Sequence, residues 1–430
     1  MVDSTEPRRI AIACQGGGSH TAFTAGVLRR LFGSAELNRF EVVGLSGTSG
    51  GAVCALLAWR ALVDGAPERV GPALQQFWAD NSAATPWQRL LNSLVIGASA
   101  LQSVGAAPAV SPYDSPVAAL DHFRALLESQ LDFDKIEVDR IGQWLLLLVG
   151  AVDVLSGDFR AFHSRRDLIT ADVVLASAAI PNLFPAVNTA GGTYWDGLFS
   201  QNPPVRELVE TQPDEIWAIQ INPKARDTEP RSVVEILDRR NELAGNLSLY
   251  QELHHIEEIN RLIDDGRLAP GGRHRRVVIR VIELSRSRLS GLLGPASKLN
   301  RDPGFIEELI AEGEQQAAEF LTALAFEEAW ARRDAAGVAG FFADGAVAHS
   351  AAPFPERRAV GGPTELEVFL QAHFDSGVCM DLNRKQVSRD RVIWTARGVL
   401  GGGRPDLGWG RCEVLFRGGK VVELYLGAVD

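Results

Sequence analysis

The chain has 430 residues, 46% of them hydrophobic and 23% charged, which are the proportions of an ordinary globular protein with room for two domains. Its net charge of -11 and pI near 5.3 argue against nucleic acid as the main partner, because phosphate contacts require clustered Lys and Arg. The most basic stretch, "GGRHRRVVIR", runs directly into a β-like segment and is interpreted as the solvated start of a strand.

Cysteine spacing and the apolar segments predict a soluble, cytoplasmic protein. The four cysteines are scattered with no CxxC motif, and we expect buried thiols in a reducing compartment: Cys14, Cys54, Cys379 and Cys412. The first ten residues lack the apolar segment of a secretory signal. The most apolar stretch, "WLLLLVGAVDVL", reaches Asp153 too early to span a bilayer and fits a buried strand.

The N-terminal segment alternates strand-like and helix-like patterns. "RIAIAC" is a short apolar run followed by glycines and by "AFTAGVLRRLF", which has helical spacing. "FEVVGLSG" and "AVCALLAWRALV" repeat the pattern across the turn "TSGG". This repetition predicts a parallel sheet with covering helices. Both glycine-rich turns then lie at the carboxyl ends of strands, where ligands bind in such sheets.

Further elements follow along the chain. Strands are predicted at "QWLLLLVGAVDV", "DEIWAIQINP" and "RRVVIRVIEL". Helices are predicted over 115–130, 232–263, 304–324 and 325–342, and hairpin-like strands follow the last of them. We therefore divide the chain into an α/β domain, 1–322, and a small α+β domain, 323–430.

Three consecutive glycines, Gly16 to Gly18, follow the first strand. Because glycine costs backbone entropy, such a run marks a close approach of the backbone to a phosphate, a packed neighbour or the oxygen of a reacting carbonyl. The dinucleotide fingerprint fails, since Thr21 stands where its third glycine belongs, and no GK[ST] follows for a P-loop.

The second turn, "GTSGG", is a GxSxG sequence with Ser49 at its centre. A nucleophilic serine needs small neighbours there, because it occupies a strained strand-to-helix turn that exposes its hydroxyl. An α/β-hydrolase also requires several strands before this turn and a histidine after it. Only one strand precedes the turn strand, and His254 and His255 lie in mid-helix, where surface or packing roles are the alternative.

One carboxylate stands out, in "GGTYWDGLFSQNPP". Asp196 ends an aromatic strand-like run and precedes Gly197 and a tight "NPP" corner. By itself an Asp-Gly pair is typical of a turn. Because Asp196 occurs in the same chain as the two glycine motifs, a second interpretation is that it acts as a general base.

Four motifs in this order and spacing resemble the patatin-like phospholipases over about residues 8 to 320: the glycine run, "GTSGG", "ASAAIPNLFPAV" and the Asp-Gly pair before "NPP". The resemblance implies an α/β protein with a three-layer α/β/α sandwich, in which a Ser–Asp dyad replaces the triad. Ser49 is then the nucleophile, Asp196 the general base, and Gly17 and Gly18 the backbone donors of an oxyanion hole. The remaining motif neighbours are Gly16, Gly47, Gly51 and Gly197.

The sequence departs from that family around the glycine run. Gln15 stands where the family has Asp, while His20 and Thr21 stand where it has Arg or Lys and then Gly. We expect His20 to make the loop less positive and to weaken any preference for an anionic head group. A carboxylate is a weak base for a hydroxyl, so burial must raise the basicity of Asp196.

The segment "WQRLLNSLVIGASALQSVG" carries apolar residues at helical spacing: Trp87, Leu90, Leu91, Leu94, Val95 and Leu101. Two interpretations stay open. The segment is either an ordinary core helix or an interfacial helix over the acyl pocket, with a hinge in the following "GAAPAVSP".

From about residue 324 to the end, a helix followed by strand-like runs resembles the SnoaL-like, nuclear-transport-factor-like α+β cone. Members of that family are cyclases, isomerases, ligand binders or dimerisation modules. His349 and His373 are candidate acid/base residues, but no second carboxylate–His pair accompanies them. We expect a cone without chemistry that forms a homodimer through its outer sheet face.

These patterns together predict a serine acyl hydrolase that cleaves acyl esters of lipids through an acyl-enzyme, with no cofactor and no metal. The expected substrate is a hydrophobic acyl ester or phospholipid, met through transient contact with a membrane surface. The alternative is a lipid- or small-ligand-binding protein in which the cone acts and the first domain is weakly active.

Overall fold

The computed structural model describes residues 7–103, 111–114, 118–139, 144–181, 183–226, 228–271, 274–284, 289, 293–294, 296–352, 356–376, 378–388, 391–400, 408–417 and 419–428. The chain divides into two compact units. The first comprises Met1–Val277 and Leu284–Glu314, and the second comprises Val278–Glu283 and Gln315–Asp430.

The first unit is a largely parallel sheet covered by helices. Its strands are β1 (Arg8–Cys14), β2 (Phe40–Thr48), β3 (Leu146–Asp153), β4 (Phe159–His163), β5 (Val187–Thr189), β6 (Gly192–Asp196) and β7 (Glu215–Gln220). Its helices are α1 (Ala22–Phe32), α2 (Gly50–Val63), α3 (Val70–Asn81), α4 (Pro86–Ser103), α5 (Ala118–Gln130), α6 (Phe133–Asp139), α7 (Ala171–Ala178) and α8 (Val233–Asp264).

The strands of this unit run in the order β7–β1–β2–β3–β6–β5, with β4 also paired to β3. The pairs among β7, β1, β2 and β3 are parallel, and those of β4, β5 and β6 are antiparallel. Cys14 lies opposite Gly47 at the ends of β1 and β2, so the two glycine-rich turns are neighbours. Both faces of these strands are buried, as a sheet between two helical layers requires. The predicted α/β class is confirmed.

The second unit is a curved sheet packed on helices. Its strands are β8 (Val278–Glu283), β9 (Phe342–Ser350), β10 (Arg357–Gly361), β11 (Val378–Ser388), β12 (Arg391–Leu400), β13 (Gly408–Arg417) and β14 (Lys420–Ala428), in the order β10–β9–β14–β13–β12–β11–β8. Two of its helices are α10 (Ala335–Ala339) and α11 (Pro363–Asp375). Phe326, Trp330 and Phe374 pack together in its core, as expected of the cone fold.

A third helix, α9 (Pro303–Ala331), differs from prediction. The sequence suggested a break near residue 324, but the helix is continuous, because no proline interrupts it after its first turn. The division between the two units falls inside α9, after Glu314. The domain limits 1–322 and 323–430 stay a prediction.

The cysteines and apolar segments can be checked against the structure. Cys14, Cys54 and Cys412 are buried free thiols, as predicted, and the side chain of Cys379 lies outside the described residues. The central part of "WLLLLVGAVDVL" forms β3, which is buried over most of its length, whereas Trp144 and Leu155 at its ends are exposed. In the ranges given above, no helix is long and apolar enough to cross a membrane.

Candidate active site

Ser49 lies on the sharp turn between β2 and α2. Its φ of 56° and ψ of -132° fall in a region that L-residues rarely adopt. Glycines on both sides make this turn possible, since a Cβ on Gly47 would lie 2.4 Å from the Gly51 carbonyl oxygen. A Cβ on Gly51 would lie 2.3 Å from the Cys14 carbonyl oxygen. The Ser49 N–H donates to Ser177 Oγ at 2.9 Å, which holds the turn from a second side.

Asp196 ends β6, and the Ser49 hydroxyl is close enough to its carboxylate to lower its pKa. Its Oδ1 also accepts the Leu198 N–H at 2.8 Å, and the residue is 1% exposed. Burial raises the pKa of Asp196 to about 7, against the opposing effects of the Leu198 N–H, the Ser49 hydroxyl and the Lys298 ammonium. A carboxylate with that pKa is a far stronger base than an exposed one and is still ionised in part at neutral pH.

The glycine run packs directly against the serine turn. A Cβ on Gly16 would lie 2.3 Å from the Thr48 carbonyl oxygen and 3.0 Å from Ser49 Cβ. Gly18 has a φ of +59°, and a Cβ there would lie 2.2 Å from the Lys298 carbonyl oxygen. Glycine is therefore required at both positions by close backbone approach.

The N–H groups of the run are used differently. The Gly16 N–H donates to Asn202 Oδ1 at 2.7 Å. The N–H groups of Gly17 and Gly18 meet no protein acceptor within the described ranges. Thr21, which departs from the expected glycine, donates its hydroxyl to the Gly18 carbonyl oxygen at 2.6 Å and so closes the loop. Two backbone donors beside a buried serine are the components of an oxyanion hole.

Gln15, the other departure from the family pattern, fixes the start of the run. Its Oε1 accepts the N–H groups of Ile221 and Asn222 at 2.9 and 3.0 Å. Its Nε2 donates to the Gly245 carbonyl oxygen at 3.1 Å and to Asn246 Oδ1 at 3.0 Å. The neutral amide both donates and accepts here, which an ionised carboxylate would not do.

His20 and Lys298 complete the surroundings of the loop. The His20 ring is buried, 2.7 Å from Ser297 Oγ and edge-on to Phe305. Lys298 follows in the 3-10 helix Ala296–Leu299 and donates its Nζ to Asn222 Oδ1 at 2.8 Å. No sequence motif points to Lys298, which lies far along the chain from the glycine run.

The residues singled out in the sequence meet at one edge of the sheet: Gly16, Gly17, Gly18, Gly47, Ser49, Gly51, Asp196 and Gly197. A Cβ on Gly197 would lie 2.7 Å from the Gly150 carbonyl oxygen, so this position also requires glycine. His254 lies elsewhere, 65% exposed on α8 beside Glu257 and Glu258. No metal-binding cluster of His, Cys, Asp or Glu occurs in the part of the chain that the structure describes.

The apolar stripe of α4 faces outward. Trp87 is 64% exposed and Leu94 60%, and Leu90, Leu91 and Val95 are exposed too. Among the side chains of α4 whose burial the structure describes, the buried one is polar: Asn92 donates to Asn300 Oδ1 at 2.9 Å and accepts the Arg301 N–H at 3.0 Å. The core-helix interpretation is therefore wrong. The side chain of Leu101 and most of the predicted hinge lie outside the described residues.

The two histidines of the second unit occupy different places. His373 is buried against Trp330, and burial lowers its pKa to about 4. His349 lies against Tyr425, with the ring centroids 4.7 Å apart and the ring planes at 54°. It also lines a cleft of about 770 Å³ whose charged residues are Glu356, Arg357, Arg358, Arg417 and Glu423.

Part of the first unit matches a known protein family. Residues 12–209 match the family described as patatin-like phospholipase, which covers just under half of the chain and includes Ser49 and Asp196. The resemblance stated from the sequence is confirmed over that range. No curated protein matches the chain.

Solved structures resemble the C-terminal region. An NTF2-like protein of unknown function from Mesorhizobium loti is 19% identical, with 26% of this chain and 92% of that chain covered and a TM-score of 0.23. A putative polyketide cyclase from Sinorhizobium meliloti is 13% identical, with 24% and 92% covered and a TM-score of 0.21. A protein with a ketosteroid isomerase-like fold from Catenulispora acidiphila, in complex with trimethylamine, is 14% identical, with 24% and 82% covered and a TM-score of 0.21.

Proposed function

We propose that this chain, which matches the patatin-like phospholipases over residues 12–209, is a serine hydrolase of lipid acyl esters. The observation that carries the proposal is the position of Ser49 on a strained strand-to-helix turn, close enough to the buried Asp196 for its hydroxyl to act on that carboxylate. Backbone strain at a buried polar residue persists where function requires it. The glycine run beside that turn adds the donors that acyl transfer needs.

In the proposed reaction, Ser49 Oγ attacks the acyl carbonyl carbon while its proton passes to Asp196. The N–H groups of Gly17 and Gly18 stabilise the negative charge that develops on the carbonyl oxygen. The bond to the alcohol then breaks, and the departing alkoxide takes the proton from Asp196. Water attacks the resulting Ser49 ester with Asp196 again as base, which releases the carboxylic acid and restores the serine.

We also propose that the substrate is met at a lipid surface through α4. Its exposed stripe ends in an aromatic residue, Trp87, of the kind that favours membrane–water interfaces. Asn92 ties the opposite face of α4 to Asn300 and Arg301, just after the Lys298 segment that packs on Gly18. Binding through α4 therefore brings the lipid close to the glycine run.

Hydrolysis of a short-chain nitrophenyl ester tests the proposed site. Ser49→Ala should lower kcat at least about 1,000-fold and Asp196→Asn nearly as much, since each removes a part of one catalytic unit. Ser46→Ala is the matched control, because Ser46 is a buried serine at the end of β2, close in sequence to Ser49, and its loss should leave activity unchanged. Substantial activity in folded Ser49→Ala protein would contradict the assignment.

The cone suggests a second candidate function. The cleft lined by His349 and five charged residues is large enough for a small ligand, which favours ligand binding as the alternative. His373, neutral and packed on Trp330, has the surroundings of a structural residue. Loss of esterase activity in folded His349→Ala protein would show that the cone takes part in the reaction.

A further inference from the structure

Lys298 packs directly on the glycine run. Its carbonyl oxygen lies 2.2 Å, and its Cβ 3.5 Å, from the position that a Cβ on Gly18 would occupy. Its Cε lies 3.8 Å from the corresponding position on Gly17. The backbone and the side chain of one lysine therefore border the two residues whose N–H groups we assign to the oxyanion hole.

The ammonium group is held in place by the same framework that holds the loop. Lys298 Nζ donates to Asn222 Oδ1 at 2.8 Å, and the Asn222 N–H donates to Gln15 Oε1 at 3.0 Å. Gln15 immediately precedes the glycine run. Asn222 therefore binds both the ammonium of Lys298 and the side chain of Gln15. This fixes the position of the ammonium relative to Gly17 and Gly18.

Burial lowers the pKa of Lys298, and three nearby carboxylates oppose this by favouring its charged form. The carboxylates that act on Lys298 are Asp238 and Glu242 of α8 and Asp196 of the site. Asp238 and Glu242 already bind Arg226 at 2.5 and 2.9 Å, and Glu242 also binds Arg239 at 3.1 Å. The two acids of α8 thus each have an arginine partner, and the third carboxylate that acts on the ammonium is Asp196 of the site.

We propose that Lys298 is a positioning residue of the acyl-transfer site, whose fixed ammonium stabilises the oxyanion at Gly17 and Gly18 electrostatically. This inference rests on the proposed role of Ser49. It assigns to a residue of the segment after β8 a positive charge beside the glycine run. His20 holds the Ser297 hydroxyl at 2.7 Å and so helps to place the neighbouring lysine.

The ammonium has a second effect, on the base. Lys298 lowers the pKa of Asp196, in the same direction as the Ser49 hydroxyl and against the effect of burial. Loss of the lysine charge must therefore move the acid limb of the pH–rate profile to higher pH. A residue that only packs against the loop would not move that limb.

The test compares Lys298→Met with Lys298→Arg on a neutral nitrophenyl ester. We expect Lys298→Met to lower kcat about tenfold to 100-fold with KM within about twofold, because a fixed charge acts on the transition state. The midpoint of the acid limb should rise. Lys298→Arg should recover most of the rate and the wild-type midpoint. Lys224→Met, which removes an exposed lysine two residues after Asn222, is the control and should change nothing.

Each other outcome overturns the inference. An unchanged kcat and midpoint in Lys298→Met would exclude an electrostatic role. Equal losses in the Met and Arg variants would assign Lys298 to packing, and a change confined to the KM of an anionic ester would assign it to head-group binding. Labelling of wild-type Ser49 by a fluorophosphonate separates these results from a failure of the proposed function, since the label does not depend on Lys298 being the source of charge.

Discussion

The buried carboxylate of Asp196 makes a prediction about stability as well as rate. Its pKa is raised from 3.8 to about 7, so the native protein keeps this proton to a higher pH than the unfolded chain does. A raised native pKa of a carboxylate means that stability falls as the pH rises between these two values. The shift of about 3 units corresponds to about 4 kcal/mol at pH 8, of which about 3 kcal/mol is lost between pH 5 and pH 8.

Asp196→Asn removes this titration and retains an oxygen to accept the Leu198 N–H. We therefore expect the variant to gain about 3 kcal/mol relative to the wild type when the comparison moves from pH 5 to pH 8. Urea unfolding of both proteins at both pH values, followed by tryptophan fluorescence, measures this double difference. Asp153→Asn is the control, because backbone N–H groups lower the pKa of Asp153, so that its native and unfolded pKa values both lie below pH 5 and its double difference should be near zero. Equal stability differences at the two pH values would refute the argument.

Three further predictions concern the turn, the apolar helix and the cone. Gly51→Ala should lower esterase activity more than tenfold, because the added Cβ would lie 2.3 Å from the Cys14 carbonyl oxygen. Gly97→Ala is the control and should not lower activity, since open space surrounds Gly97. Equal activity of the two variants would count against the turn geometry. Trp87→Ser with Leu94→Ser should lower hydrolysis of phospholipid in vesicles about tenfold more than hydrolysis of a soluble ester, and a uniform change would exclude lipid binding by α4. Light scattering of the full chain should give a dimer, since Val347, Leu415 and Tyr425 leave a partly apolar sheet face half-exposed; a monomer would refute the homodimer.

The local features of the site could be predicted from the sequence. The strands β1 and β2 are apolar runs that end in glycine-rich turns. Because glycine has no side chain, these turns indicate where the backbone comes close to its neighbours. The parallel pairing of these strands then places Gly17 and Ser49 at one edge. The role of Asp196 could be predicted only with the family resemblance, because an Asp-Gly pair by itself indicates only a turn.

The long-range features could not be predicted. The hydrogen bond from the Gly16 N–H to Asn202 joins residues that are 186 positions apart in the sequence. Lys298, which also lies beside the glycine run, is even more distant from it along the chain. Hydrophobic periodicity gives no information on contacts of that kind. The sequence shows that His20 stands where the family has Arg or Lys. It does not show that Lys298 lies beside the same loop. The exposure of α4 was also left open, because an apolar stripe at helical spacing has the same pattern in a core helix.

Labelling with a fluorophosphonate probe, followed by peptide mapping, tests the central claim most directly. The probe forms a covalent bond with an activated serine, so the account predicts one labelled residue, Ser49, in the wild-type protein. Labelling should be absent in Ser49→Ala, slow in Asp196→Asn and unchanged in Ser46→Ala. A label on another serine, or none on Ser49 in folded wild-type protein, would contradict the account.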